Sequence, residues 1–291
     1  MTDPDPRPQP GGRKRSELTL RILSAAVLAP LALAGTYVGG WAFALGVGAC
    51  ALWLVWEWAA MVGALSQGRG MALATLAGVL PALVLAVATG QAALATPVLA
   101  ITAGGVALAG VMTGRTLWTW LAAGMLYGGL LGVVLIDLRA GSHGLAMVLF
   151  LFAVVWATDI AAYFAGRSIG GPKLWPRVSP KKTWSGALGG LAAAIAVGVA
   201  ASALDHVVSP LFWIPAAAIL SVFSQAGDLF ESSLKRHFGV KDSGHLIPGH
   251  GGIMDRLDGL AGAGILGYLV AVTASGSLVD PVYRLMAAQG Y

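Results

Sequence analysis

Residues 145–165 read LAMVLFLFAVVWATDIAAYFA, an apolar run interrupted by a single charge, Asp159. About 20 such residues are what a helix needs to cross the hydrocarbon of a bilayer. The rest of the chain repeats the pattern. It is 57% hydrophobic and 11% charged over 291 residues, with a mean hydropathy of +0.78, whereas soluble proteins carry about 25% charged residues. A water-facing globule is excluded. Further apolar stretches fall at 22–39, 41–62, 71–88, 92–112, 117–136, 186–204, 211–229 and 258–278. The expected fold is therefore all-α: a polytopic integral membrane protein of about nine transmembrane helices.

The cations give the orientation, because Lys and Arg of short loops favour the cytoplasmic side. With the N-terminus inside, all but Arg139 and Arg284 of the eighteen Lys and Arg fall on the cytoplasmic face. The formal charge of +5 thus describes one face, which should attract anions such as lipid headgroups or nucleotides. Residues 1–16, rich in Pro and without apolar periodicity, are expected as a disordered cytoplasmic tail. Residues 17–140 should form the N-terminal helices, and 141–291 a C-terminal catalytic region. Residues 13–34 resemble a secretory signal, but the apolar run continues to Tyr37 and further spans follow, so a retained anchor is expected. The one cysteine, Cys50, lies inside the second span and is read as packing.

Within the spans, charge and glycine mark the informative positions. GMLYGGLLG places Gly124, Gly128 and Gly132 on one helix face, where close helix packing inside one subunit is favoured over a dimer seam. Glu57, in WLVWEWAAM between Trp56 and Trp58, reads as an interfacial carboxylate reaching water, with a supporting contact to a basic group as the alternative. Asp159 is placed differently, within the third of its span nearest the cytoplasm. An acid there faces the protein interior or a polar cavity and is a functional candidate, against the alternative of an ion pair with Arg167.

Two cytoplasmic segments hold the remaining chemistry. GRSIGGPKLWPRVSPKKTWSG, 166–186, has five cations and no anion. Its Gly and Pro content argues for a loop whose backbone amides, near Ser179 to Thr183, are open to anions. Paired Lys181 and Lys182 with hydroxyls beside a tight turn suit phosphate. The other segment, 232–258, reads SSLKRHFGVKDSGHLIPGHGGIMDRLD and follows Asp228 at the end of span eight. Ser232, Lys235 and Arg236 lie on the emerging turns. Gly251 and Gly252 permit close backbone approach to a ligand, and Asp255 and Asp258 share one helix face. Helix capping accounts for one carboxylate, not for three acids beside Lys and Arg. Hard oxygen ligands with positions left open suit Mg²⁺ and substrate phosphates, and His237, His245 and His250 form no compact zinc motif. These residues point to a magnesium and polyphosphate site at the membrane surface.

The run Ser232, Leu234, Lys235, Arg236, Lys241, Asp242, Gly244, Ile247, Pro248, His250, Gly251, Gly252, Ile253, Asp255, Arg256, Leu257, Asp258 resembles the signature of the phosphatidate cytidylyltransferases, as do DIAAYFAGRSIG and SPKKTWSG upstream. Ser185 departs from the acid that many members carry after the Trp. The resemblance implies that CTP and phosphatidic acid yield CDP-diacylglycerol and pyrophosphate with Mg²⁺. It implies Asp228, Asp255 and Asp258 as metal ligands; Lys235, Arg236, Lys241 and Arg256 on phosphates; and His250, Gly251 and Gly252 as a backbone cradle. Asp159, Ser179, Lys181, Lys182, Thr183, Ser232 and Asp242 would complete the substrate pocket. The expected partners are CTP, phosphatidic acid and the bilayer of the inner membrane, not nucleic acid, with a homodimer left open. A CTP-dependent polyprenol kinase is the alternative enzyme and would release CDP. An ion-coupled transporter using Asp159 is a further one. The DGxxAR motif of CDP-alcohol phosphotransferases is not met at 258–262.

Overall fold

The computed structural model describes residues 11–204, 210–244 and 251–288, with backbone alone for 11–23, 25 and 210. Ten helices follow in order: α1 Gly11–Val38, α2 Gly40–Met61, α3 Arg69–Thr89, α4 Ala92–Thr113, α5 Thr116–Ala140, α6 Gly144–Ser168, α7 Trp184–Leu204, α8 Pro210–His237, α9 Met254–Ser275 and the short α10 Pro281–Ala287. A two-stranded antiparallel hairpin, β1 Lys173–Trp175 and β2 Ser179–Thr183, stands between α6 and α7. The polytopic all-α expectation holds: among the described residues, the eight helices from α2 to α9 are each long and apolar enough to cross a membrane. Residues 1–10 of the expected tail lie outside the described residues, and the backbone of α1 begins at Gly11.

Apolar composition forces the backbone to satisfy its own hydrogen bonds, which a helix does in a bilayer. Breaks come where the chain supplies glycine in the left-handed region: Gly90 (φ 67) ends α3 and Gly114 (φ 65) ends α4. The connections that follow α3 and α4 are consequently only two residues long. Helices α2 to α5 pack mainly among themselves, as do α6 to α9, and α5 and α9 join the two groups.

The centre of the packing is α5, buried along most of its length. Its small-residue face does what close packing requires within the chain: a Cβ on Gly128 would stand 2.6 Å from Val55 of α2, and one on Gly132 2.8 Å from Ala51. At the far end from the charged loops, Asp137 of α5 is 8% exposed. It accepts hydrogen bonds from the Ala92 amide (2.7 Å), which opens α4, and from the Tyr268 hydroxyl of α9 (2.7 Å). Arg139, a cation expected on the outer side, donates Nε to Thr36 O (2.7 Å) at the end of α1, where helix carbonyls lack partners.

Candidate active site

The site begins with glycine. Where α8 crosses α9, a Cβ on Gly262 would lie 2.7 Å from the Cα of Gly227, and one on Gly227 would lie 2.8 Å from the Cα of Gly262. Backbones that close leave no room for side chains at the crossing. The acids on either side, Asp228 next to Gly227 and Asp258 one turn before Gly262, are thereby brought to the same place. A second crossing works alike on α6 and α7: a Cβ on Gly190 would meet the Thr158 carbonyl at 2.8 Å, and one on Gly186 the Ala162 carbonyl at 2.8 Å. This sets Asp159 beside the hairpin.

The result is a polar cavity of about 320 Å³ lined by Asp159, Asp228, Lys235, Asp242, Asp255, Arg256 and Asp258. Five carboxylates face two cations, so the cavity favours additional positive charge. Lys182 reaches Asp228 from β2 as an ion pair, and Ser232 donates to the other Asp228 oxygen (3.3 Å). Lys235 bridges two acids: its Nζ is 2.6 Å from Asp255 Oδ1 and 3.2 Å from Glu231 Oε1, the latter on a fully buried side chain. Asp258 accepts from the Gly259 amide (2.7 Å).

The start of α9 is fixed by two carboxylates. Asp255 Oδ2 accepts from the amides of Gly252 (2.9 Å) and Ser243 (3.0 Å), folding the loop before the helix onto its first turn. Glu57, at the end of α2 and seven helices earlier in the chain, takes the next two amides: Ile253 N to Oε1 (3.0 Å) and Met254 N to Oε2 (2.9 Å). Trp53 Nε1 and Ser243 Oγ each donate to it at 3.0 Å. Glu57 is 4% exposed. The expectation of an interfacial carboxylate reaching water is overturned, because the side chain turns inward to helix donors that otherwise have no partner.

Most of the expected residues converge, and some do not. The seven lining residues were all expected. Arg236 is exposed and donates to Val240 O (3.3 Å), and Lys241 and Lys181 are exposed; none of these lines the cavity. Gly251 (φ 82) and Gly252, read as a backbone cradle for substrate, lie against the chain's own carboxylates: a Cβ on Gly251 would be 2.8 Å from Asp255 Oδ2, and one on Gly252 would collide with Ser243 and Glu57. His250 lies outside the described residues.

The 166–186 segment also differs from expectation. Ser179–Thr183 is strand β2 rather than an open loop, and its pairing with β1 engages backbone groups expected to be open to anions. Thr183 Oγ1 accepts from the Gly186 amide (3.1 Å) at the start of α7, a capping contact. Ser185, the position expected to depart from the resembled family, bonds Thr183 Oγ1 (3.0 Å) and the Gly170 carbonyl, closing the hairpin's base. Two contributors were not singled out from sequence. Glu231 had a signal, since it stands on the same face of α8 as Asp228 and Lys235; Ser243 had none.

Comparison with known proteins agrees with this geometry. The model of the cytidylyltransferase family matches residues 19–274. A phosphatidate cytidylyltransferase of Brucella suis is 45% identical over 257 residues, covering 87% of this chain and 93% of the relative. That of Brucella abortus is 43% identical over 272 residues, covering 92% and 98%. One from Bacillus subtilis is 42% identical over 135 residues, 46% of this chain and 50% of the relative. With the family model matched over residues 19–274 and relatives more than 40% identical over nearly their full length, the chain belongs to the cytidylyltransferase family.

Proposed function

We propose that this protein transfers the cytidylyl group of CTP to phosphatidic acid, giving CDP-diacylglycerol and pyrophosphate. The observation that carries the reading is the cavity at the α8–α9 crossing, lined by Asp159, Asp228, Asp242, Asp255 and Asp258 with Lys235 and Arg256, in a membrane chain whose near full-length relatives carry that activity in their names. A phosphatidate oxygen attacks the α-phosphorus of CTP, the new P–O bond forms, and the bond to the β-phosphate oxygen breaks. The nucleophile needs no separate base, since a phosphate monoester with a second pKa of about 6 is largely dianionic near neutral pH. The chain's task is to align two anions and offset their repulsion. Lys235 and Arg256 face the cavity as phosphate partners, and Lys182 holds Asp228 toward it.

Magnesium fits the donor set. All acids at the cavity are hard oxygen ligands, but among the described residues no three acidic, His or Cys side chains are grouped so as to hold an ion by themselves, so an ion there would take at most two of them. Mg²⁺ asks for one or two carboxylates and fills the rest with water and substrate phosphate. Asp228 and Asp258 would hold it, with Asp255, already accepting from Lys235 and two amides, on its border. A bound ion there would supply charge neutralisation and alignment of the phosphates.

The distribution of Lys and Arg supports a cytoplasmic N-terminus, α1 as a ninth span, and a cavity opening to the cytoplasmic side of the inner membrane. Arg236 and Lys241, exposed near the mouth, are suited to first contact with anionic substrates rather than to the reacting phosphates. The test is direct: purified protein given labelled CTP, phosphatidic acid and Mg²⁺ forms CDP-diacylglycerol and pyrophosphate, and a chelator stops it. Release of CDP with a phosphorylated lipid would instead identify a kinase.

A further inference from the structure

Among the described residues Glu57 is the most heavily engaged carboxylate outside the cavity, and neither charge pairing nor water contact accounts for it. Its four donors are one indole, one hydroxyl and two backbone amides, two on each oxygen. Two of these partners, Ile253 and Met254, immediately precede Asp255, and a third, Ser243, also gives its own amide to Asp255. Gly252 leaves no space between Ser243 and Glu57, and a Cβ on Gly244 would come 2.6 Å from Glu57 Oε1. The carboxylate therefore clamps both chain segments that hold Asp255, the 243–244 turn and the 252–254 entry to α9, onto α2.

We infer that Glu57 is a positioning residue for the reaction: from the N-terminal half of the chain it fixes the first turn of α9, and through it the direction in which Asp255 and Asp258 face the cavity. A carboxylate is specifically required. Each of its oxygens accepts twice, whereas the amide nitrogen of Gln can accept nothing and would confront the Met254 N–H. Groups that orient ligands in this way change metal affinity or activity by roughly 10–100-fold when lost. The inference rests on the cytidylyltransferase reading for its kinetic part and on geometry alone for its structural part.

The experiment compares wild type with Glu57→Gln in detergent, by three measurements: thermal denaturation, hydrogen–deuterium exchange of 251–258 without nucleotide or metal, and the Mg²⁺ dependence of turnover. Glu57→Gln is expected to stay folded, to exchange faster at 251–258, to need several-fold more Mg²⁺ for half-maximal rate, and to lose about tenfold or more in kcat. Wild-type kcat and Mg²⁺ dependence in a folded Glu57→Gln would overturn the inference, as would a fall in rate with unchanged exchange at 251–258. If Glu57→Gln does not fold, Ser243→Ala decides: it keeps the carboxylate and removes one donor, so a smaller shift in the same direction, about threefold, is expected, and none overturns the inference. Absence of cytidylyl transfer by the wild type would refute the proposed reaction instead, and the exchange measurement would still test the clamp.

Discussion

Gly227 and Gly262 meet where α8 crosses α9, the Cα of one 2.7 Å from where the other would carry a Cβ. Asp228 and Asp258 reach a common cavity because of this crossing. A methyl group at Gly262 must push the helices apart, and overpacking of that kind costs about 1–3 kcal/mol. Gly262→Ala is expected to lower the melting temperature and to reduce turnover in the surviving folded fraction. Wild-type specific activity per folded molecule would show that the crossing does not set the site.

The adjacent lysines of β2 have different surroundings. Lys182 pairs with Asp228, whereas Lys181 is exposed and does not line the cavity. Lys182→Met is expected to cut kcat/KM for CTP by about tenfold or more, equivalent to roughly 1.4 kcal/mol. Lys181→Met, an exposed surface change, should stay within about twofold. Steady-state kinetics of the two variants side by side checks this; equal losses would assign the pair to general electrostatic attraction.

Asp258→Asn keeps the shape of the side chain and removes its charge from the cavity. If Asp258 holds the ion that offsets phosphate repulsion, turnover should fall by roughly a hundredfold or more, since such stabilisation amounts to several kcal/mol. The melting temperature should change little. The measurement is product formation over a wide Mg²⁺ range, and normal rates at ordinary Mg²⁺ would remove Asp258 from the ligand set.

Tyr268→Phe should behave in the opposite way. It deletes the 2.7 Å hydrogen bond to the buried Asp137 carboxylate, worth about 1.5–3 kcal/mol as a bond to a charged group. Tyr268 lies ten residues beyond Asp258, about 15 Å along the helix. Thermal stability should drop while kcat and the Mg²⁺ requirement remain as in wild type.

The apolar runs made the spans readable, and the dense polar stretch at 232–258 made most of the cavity readable, because both signals are local in the chain. Asp159 was visible for a related reason: a lone acid in an apolar run has few acceptable surroundings. Glu57 was not readable. Flanked by Trp56 and Trp58 near a helix end, it has the composition of an interfacial residue, and its partners Ser243 and Met254 lie 186 and 197 positions away. The hairpin was hidden by brevity: strands of three and five residues rich in Lys and Pro carry no alternation of polar and apolar positions. The paired glycines were expected to admit a ligand, but what stands against them in the described residues is the protein's own Asp255, Glu57 and Ser243.

Helix α9 is gripped twice by carboxylates from the first half of the chain, at Ile253 and Met254 by Glu57 and at Tyr268 by Asp137. The grips are separated by fourteen residues, about 21 Å of axial rise. A rod pinned at two depths can neither slide like a piston nor roll about its axis without breaking one of them. Differences in bilayer thickness must then be absorbed by the surrounding lipid or by the peripheral helices, and the acids on α9 keep their depth as membrane composition changes.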